Sequence, residues 1–393
     1  MIITSGPTYQ GASTLFAAVE DDLEWSRTLI TGVASFGRFG GAIFGPFEGF
    51  MVDRYGPGRM ALIGIVLGGI GFILLSRING PVPYFATYFL ITTGFSMGGF
   101  MPSMTAVNSW LPKRRATGMA IVLAGSSLGA FVVPLMAWGI TAHGWRPTVA
   151  VIGGVSIFVA PFIARIFSAK SMPRQNTFAH PTSNNFNYSS NDFTAKQAIR
   201  TRAFWALSMT HMLGNMALAG VSAHAVLHLT DIGLSLSRAA SIITIIGVAS
   251  LCGQITSGIF GDRVNKRLVI AFLYASQGCA IILLAGVSNY TEAAIFGVVW
   301  GTSVGARPPM FHAMRGEYFG QRAFGTIMGM VSLPMAIGMT AVPVLLGVAF
   351  DIQETYRWAF LILAATSLIA GLMILSATRP AHPNGHQDVS PVV

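Results

Sequence analysis

Apolar residues in this chain come in long, nearly unbroken blocks, separated by short polar turns rich in Gly, Pro, Arg and Asp. Crossing about 30 Å of hydrocarbon takes roughly 20 helical residues. Measured against that length, the blocks predict twelve membrane-spanning helices, at about 2–19, 26–52, 59–77, 83–110, 116–139, 147–168, 203–229, 238–260, 268–288, 291–315, 323–349 and 357–378. The one long polar stretch, 169–200, is rich in Asn, Ser and Thr and falls in the middle. The expected organisation is therefore a six-helix unit over 1–168, a linker over 169–200, a second six-helix unit over 201–379 and a tail over 380–393. The first block begins at Met1 with no polar leader, which is expected of a first helix that has been truncated.

The two units repeat. Gly49 and Asp53-Arg54 close one block, and Gly258 and Asp262-Arg263 close another 209 residues later. The same offset relates Gly129 to Gly338 and Pro134 to Pro343. Nearby offsets relate Ser26-Arg27 to Ser237-Arg238, Pro102 to Pro309, Arg115-Ala116 to Arg322-Ala323, and Arg146 to Arg357. Helix breakers and loop charges kept in register mark two copies of one membrane unit, an arrangement typical of transporters. The fold class expected is all-α integral membrane, two pseudo-symmetric six-helix bundles.

Composition agrees. The chain is 53% hydrophobic and 10% charged, far below the roughly 25% charge of soluble domains. The net charge of +10 sits at helix ends and forms no continuous stripe, so a nucleic-acid partner is not expected. Lys113, Lys170, Lys196 and Lys266, with Arg54, Arg59, Arg115, Arg263, Arg267, Arg315 and Arg322, fall on one side of the predicted topology; Arg27, Arg77, Arg146, Arg238 and Arg357 stand on the other. The positive-inside rule makes the first side, and both termini, cytoplasmic in a cell membrane. Cys252 and Cys279 lie in apolar blocks with no disulfide or metal-ligand spacing. No phosphate-binding Gly-x-x-x-x-Gly-Lys segment or nucleophile–base set occurs, so neither a cofactor nor an enzyme is expected. Asn289-Tyr290-Thr291 matches a glycosylation acceptor but lies too near the membrane to be used.

The segment Gly49-x-x-x-Asp53-Arg54-Tyr55-Gly56-Pro57-Gly58-Arg59 resembles the signature between the second and third helices of the major facilitator superfamily. Gly258-x-x-Gly261-Asp262-Arg263-x-x-Lys266-Arg267 resembles its counterpart between helices eight and nine. Trp110 to Ala120, Ala124 to Gly129, Gly144-Trp145-Arg146 and Gln197 to Trp205 are similar to the monocarboxylate and oxalate–formate porter branch. The resemblance implies two bundles around a central site and transport by alternating access. It also implies a cytoplasmic gate made of Gly49, Asp53, Arg54, Arg59, Gly258, Asp262, Arg263 and Arg267. Glycine allows close helix approach, and each aspartate suits either a helix N-terminus or a neighbouring arginine.

The charged residue that carriers of this branch place in helix 8 is missing: 239–260 carries no charge, and Gln254 is its most polar member. The spans at 2–19 and 323–349 also lack basic residues. The remaining candidates for anion contact are two arginines inside spans, Arg38 and Arg307, since a charge at mid-bilayer costs roughly 2.5–3.5 kcal/mol and so faces a cavity or a partner. The alternatives are a structural ion pair or an inter-half gate for Arg307 and packing within span 2 for Arg38. Pro308-Pro309, next to Arg307, is expected to interrupt its helix and free carbonyls. His312 and His224 are the candidates for proton coupling, among His211, His224, His228 and His312. Glu48 reads as part of the inner charge cluster, and Glu20, Asp21, Asp22 and Glu24 as a solvated outer loop.

The expected function is a monomeric secondary transporter of a small organic anion, a mono- or dicarboxylate, with proton symport. The alternatives are a facilitator or exporter of neutral or amphipathic molecules, and a membrane sensor that binds without flux.

Overall fold

The computed structural model describes residues 1–169 and 192–381, and among these the chain is helical throughout. Twelve long helical segments form two bundles of six. We label them α1 (Ile2–Ser5, a π-helical turn Gly6–Gln10, then Ala12–Leu23), α2 (Arg27–Tyr55), α3 (Pro57–Leu75), α4 (Pro81–Phe95, a π-helical turn Ser96–Phe100, then Met101–Trp110), α5 (Arg115–Ser127 continuing to Val132–His143), α6 (Trp145–Ala169), α7 (Arg202–Asp231), α8 (Leu236–Phe260), α9 (Lys266–Ala285), α10 (Tyr290–Phe319), α11 (Phe324–Gln353) and α12 (Arg357–Ser376). A short helix, Ala195–Ile199, precedes α7.

Eight of the helices are long and apolar enough by themselves to cross a membrane. The four that fall short are α1 and α4, each interrupted by a π turn, and α2 and α10, which carry buried charge. The spans are amphipathic only in a loose sense. Phe131, Trp138, Phe158, Phe162, Phe272, Val344 and Leu372 stand on the outside, each more than half exposed, which is where lipid takes the place of water as solvent.

Polar termini close the helix ends. Ser26, Thr201, Ser235, Asn265 and Asn289 each accept a hydrogen bond from the first turn of the helix that follows, satisfying one of its orphan N–H groups. Several helix crossings, within and between the bundles, rely on missing side chains. The closest between the bundles is α2 on α11, where Gly45 and Gly49 face Gly329 and Gly325.

Away from the basic turns, each bundle is tied differently. In the first, Asp22 at the end of α1 accepts from Trp145 Nε1 at 3.1 Å and pairs with Arg146. This member of the acidic run, expected as a solvated loop, thus lies in the last turn of α1 and is anchored to α6. In the second, Tyr356 and Phe360 stack at 5.7 Å, and His228 Nε2 donates to Leu284 O at 2.9 Å. Arg357, the sequence counterpart of Arg146, is exposed.

Two expectations change. Pro308 and Pro309 do not interrupt α10, which runs unbroken from Tyr290 to Phe319. Membrane helices tolerate such prolines because packing from neighbours holds the turn whose ladder bonds are lost. α10 also continues through Arg315, so that residue is a helix-interior cation and not a loop charge.

Candidate functional site

At the end of the molecule that carries the repeated Asp-Arg turns, the basic end, the two bundles clamp each other twice. Asp53, at the end of α2, reaches the first turn of α11: Gly325 N donates to Oδ1 at 2.9 Å, while Thr326 N and Thr326 Oγ1 donate to Oδ2, each at 2.7 Å. Asp262, just past α8, reaches the first turn of α5: Ala116 N donates at 2.8 Å, Thr117 N at 3.0 Å and Thr117 Oγ1 at 2.8 Å. Each carboxylate thus fills orphan N–H groups at the positive end of a helix in the opposite bundle. Of the two partners the sequence offered the aspartates, the helix end is the one found.

Glycine makes this contact possible. A Cβ on Gly49 would run into the backbone carbonyl of Gly325, whereas a Cβ on Gly258 would meet only the Ala120 methyl at 2.8 Å. The arginines take a lesser part. Arg54 lies over Phe50 and Tyr55 at 5.9 and 5.8 Å, and Arg59 and Arg263 are exposed. Arg267 lines a groove with Lys266, Glu317 and Tyr318, in which Lys266 Nζ pairs with Glu317 Oε1 at 2.7 Å. A further inter-bundle bond, Asn108 Nδ2 to Gly320 O at 3.1 Å, lies beside the clamps. Among the described residues, every hydrogen bond between the bundles is at this end.

Deeper in, the second bundle holds cations. Arg307 on α10 is 3% exposed; its Nη1 donates to Gln277 Oε1 on α9, and its guanidinium lies 4.4 Å from the Tyr274 ring centroid. Gln277 in turn donates to Gly214 O on α7 at 3.2 Å and to Ser367 Oγ on α12 at 3.3 Å, fixing the acceptor that meets the arginine. Arg38 lies on α2, and its side chain is outside the described residues. His312 accepts from Arg315 Nη1 at 3.2 Å, faces Phe100 of the other bundle at 5.7 Å, and lies 6.2 Å from His211 on α7.

His224 is elsewhere: its ring nitrogens meet Tyr356 Oη at 3.2 Å and Pro343 O at 3.0 Å. The structure therefore brings His312 next to a buried arginine and leaves His224 tying α7 to α11 and α12. Glu48 is not in a surface charge cluster. It is 1% exposed and accepts from Ser96 Oγ, in the π turn of α4, at 2.6 Å.

Sequence reasoning missed the clamp partners Thr117 and Thr326. They are separated by the same 209 residues as Asp53 and Asp262, which was the signal available. It also missed Arg315, Tyr274 and Gln277. Spacing gave a hint for one of them: Arg315 is one turn beyond Phe311 and three residues beyond His312.

Comparison with known proteins fits this architecture. The family model described as Major Facilitator Superfamily matches residues 1–306 and 227–391. A gallate transporter of Pseudomonas putida is 27% identical over 70% of this chain, and the match spans 66% of that protein's length. Monocarboxylate transporter 13 of Bos taurus is 21% identical over 90% of this chain and 79% of its own. Among solved structures, the E. coli fucose:proton symporter FucP superposes with a TM-score of 0.73 at 13% identity, covering 96% of this chain and 98% of that one. The human organic anion transporter MFSD10 gives 0.72 at 12% identity, over 95% and 97%. With the whole chain matched by the family model and its twelve helices in the same fold, this protein belongs to the major facilitator superfamily and is a multi-pass membrane transporter, not an enzyme.

Proposed function

We propose that the protein is a secondary carrier of small organic anions, a mono- or dicarboxylate, working by alternating access as a monomer. One observation carries the reading: α10 buries two arginines, Arg307 and Arg315, that have no carboxylate partner among the described residues. Buried cations without a counter-charge are costly, and a substrate anion supplies the missing charge. The names of the gallate and monocarboxylate relatives support the same substrate class.

In this reading Arg307 and Arg38 neutralise the anion, and His312, beside the cations, carries the symported proton. The Asp53 and Asp262 clamps hold the basic end shut in the state described. By the positive-inside rule that end, with both termini, is cytoplasmic in a cell membrane. Uptake of a panel of carboxylates into proteoliposomes, with and without an inward proton gradient, tests it. Gradient-stimulated uptake of at least one carboxylate is expected; a panel that is never taken up ends the reading.

A carrier of neutral or amphipathic molecules has one observation in its favour. Gln277 and Tyr274 already hold Arg307, as they would if it only braced the bundle. Counterflow separates the two: amides and esters of the same acids would then compete as well as the acids themselves.

A further inference from the structure

We propose that Arg315 anchors a second carboxylate-binding subsite, on the clamped side of the pathway and separate from Arg307. It rests on the organic-anion reading above and gives Arg315 a site of its own, apart from the one at Arg307. Arg315 is 2% exposed, yet only one of its nitrogens is bonded, Nη1 to His312 Nδ1 at 3.2 Å. Nε and Nη2 have no partner.

These two atoms form one edge of the guanidinium, the side-on fork whose parallel N–H groups match the two oxygens of a carboxylate. The face of the same group is covered by the Phe311 ring at 4.7 Å, which fixes the plane of the fork. Leaving charged donors buried and unbonded costs on the order of several kcal/mol, so the fork has a strong need for an acceptor.

Among the described residues, the surroundings supply more donors and no acid. His211 Nδ1 and Tyr274 Oη are likewise buried without partners. Arg315 and Arg307 lie within electrostatic reach of both side chains. The nearest acid along the helix, Glu317, is committed to Lys266 at 2.7 Å. The ligand class that fits is a compact carboxylate with an apolar body, whose body packs against Phe311 and Phe100.

Position gives the subsite a role. Arg315 is eight residues beyond Arg307, about 12 Å further along α10 at 1.5 Å per residue. The next residue, Gly316, is where Asn108 and the Arg115 stem of the first bundle press on α10. Arg315 therefore sits directly behind the inter-bundle seam that the clamps close, and opening the clamps exposes it to the basic end. An anion released by Arg307 meets the Arg315 fork before it meets water.

The test uses the full chain in lipid nanodiscs, with benzoate, lactate and succinate as probes and their neutral amides as controls. Wild type is expected to bind at least one acid and to ignore its amide. Arg315→Lys keeps the charge but removes the fork, and is expected to weaken acid binding about tenfold with an unchanged melting temperature. Tyr274→Phe removes one hydroxyl at little cost in packing and is expected to weaken it less. Unchanged acid affinity in Arg315→Lys overturns the subsite while carboxylate uptake by wild type keeps the organic-anion reading intact. If wild type neither binds nor takes up any acid of the panel, both fall together.

Discussion

Asp53 and Asp262 stand 209 residues apart and make the same contact with the same kinds of atom, two backbone N–H groups and a threonine hydroxyl at the start of a helix in the other bundle. One to three turns deeper, the copies part. At the offset that relates Pro102 to Pro309, Arg307 corresponds to Phe100, His312 to Thr105 and Arg315 to Asn108. Among the described residues, the first bundle's buried ionisable side chain is instead Glu48, held by Ser96. Both clamps close the same basic end and have to open together, which suits contacts of matched kind. Recognition of an asymmetric solute needs unlike walls, so the middle is free to diverge.

The comparison breaks most readily where it is least perfect. A methyl on Gly49 meets backbone, the Gly325 carbonyl, which has no room to yield; on Gly258 it meets another methyl at 2.8 Å. Overpacking of this kind costs about 1–3 kcal/mol. Gly49→Ala is therefore expected to open the basic end and depress uptake by about tenfold to a hundredfold, and Gly258→Ala by only a few-fold. Reactivity of single cysteines placed on α5 and α11 at that end reads out the open population. Equal effects would mean that the α2–α11 crossing is no tighter than its copy.

Next in size is the charge itself. Asp53→Asn and Asp262→Asn each replace an acceptor-only carboxylate by a group with one acceptor oxygen, leaving at least one helix-end N–H without a partner. About 1–3 kcal/mol per clamp is expected, in the same direction and of similar size for both. The cysteine-reactivity assay again serves. A shift confined to one of the two substitutions would show that the gates are not equivalent in energy, however alike in geometry.

The unlike middle predicts the opposite pattern. Arg307→Gln and Arg38→Gln are expected to reduce carboxylate uptake about tenfold, in line with loss of one charged hydrogen-bonding partner, without altering cysteine reactivity at the clamps. Full uptake in both variants would remove them from the anion path. Any change at the clamps would mean that Arg307, held by Gln277, braces the bundle.

The fold was legible because its signals are coarse: block length gives helices, and repeated Gly, Pro and Arg positions give two copies. What stayed hidden is fine in scale. The π turn at Ser96–Phe100 adds a residue to α4 without changing its hydropathy, yet it presents Ser96 to Glu48. Arg315 lies four residues from the end of α10, and a census of charges by position counts it with the loops. Nothing in sequence tells whether such a side chain bends outward to water or back over Phe311. Thr117 and Thr326 look like ordinary helix-start residues until the aspartates facing them are known.

One contact at the basic end has no copy, and it gives the smallest expected effect. Phe193, as the linker leaves the segment before α7, is 2% exposed, donates its N–H to Phe319 O at 3.0 Å and meets the Phe319 ring edge-on at 5.7 Å. Beside it, Asp192 accepts from the backbone N–H groups of Gln321 and Arg322, in the turn between α10 and α11. Gly320 there has φ +79°, and a Cβ on it would strike the Asp192 carboxylate. Burial raises the Asp192 carboxyl above the ordinary range, more than those two bonds and the nearby Arg115 and Arg322 charges lower it. A carboxyl whose docked value is raised favours docking when protonated. The linker end is therefore expected to hold best below the ordinary carboxylate range and to loosen as pH rises through the raised value. Asp192→Asn, which cannot ionise, should flatten that dependence. Hydrogen exchange at Phe193 and Gln321, followed from mildly acid to neutral pH in both proteins, measures it. Protection that increases with pH in wild type, or an unaltered slope in Asp192→Asn, would show that the backbone bonds and the two arginines outweigh burial at this site.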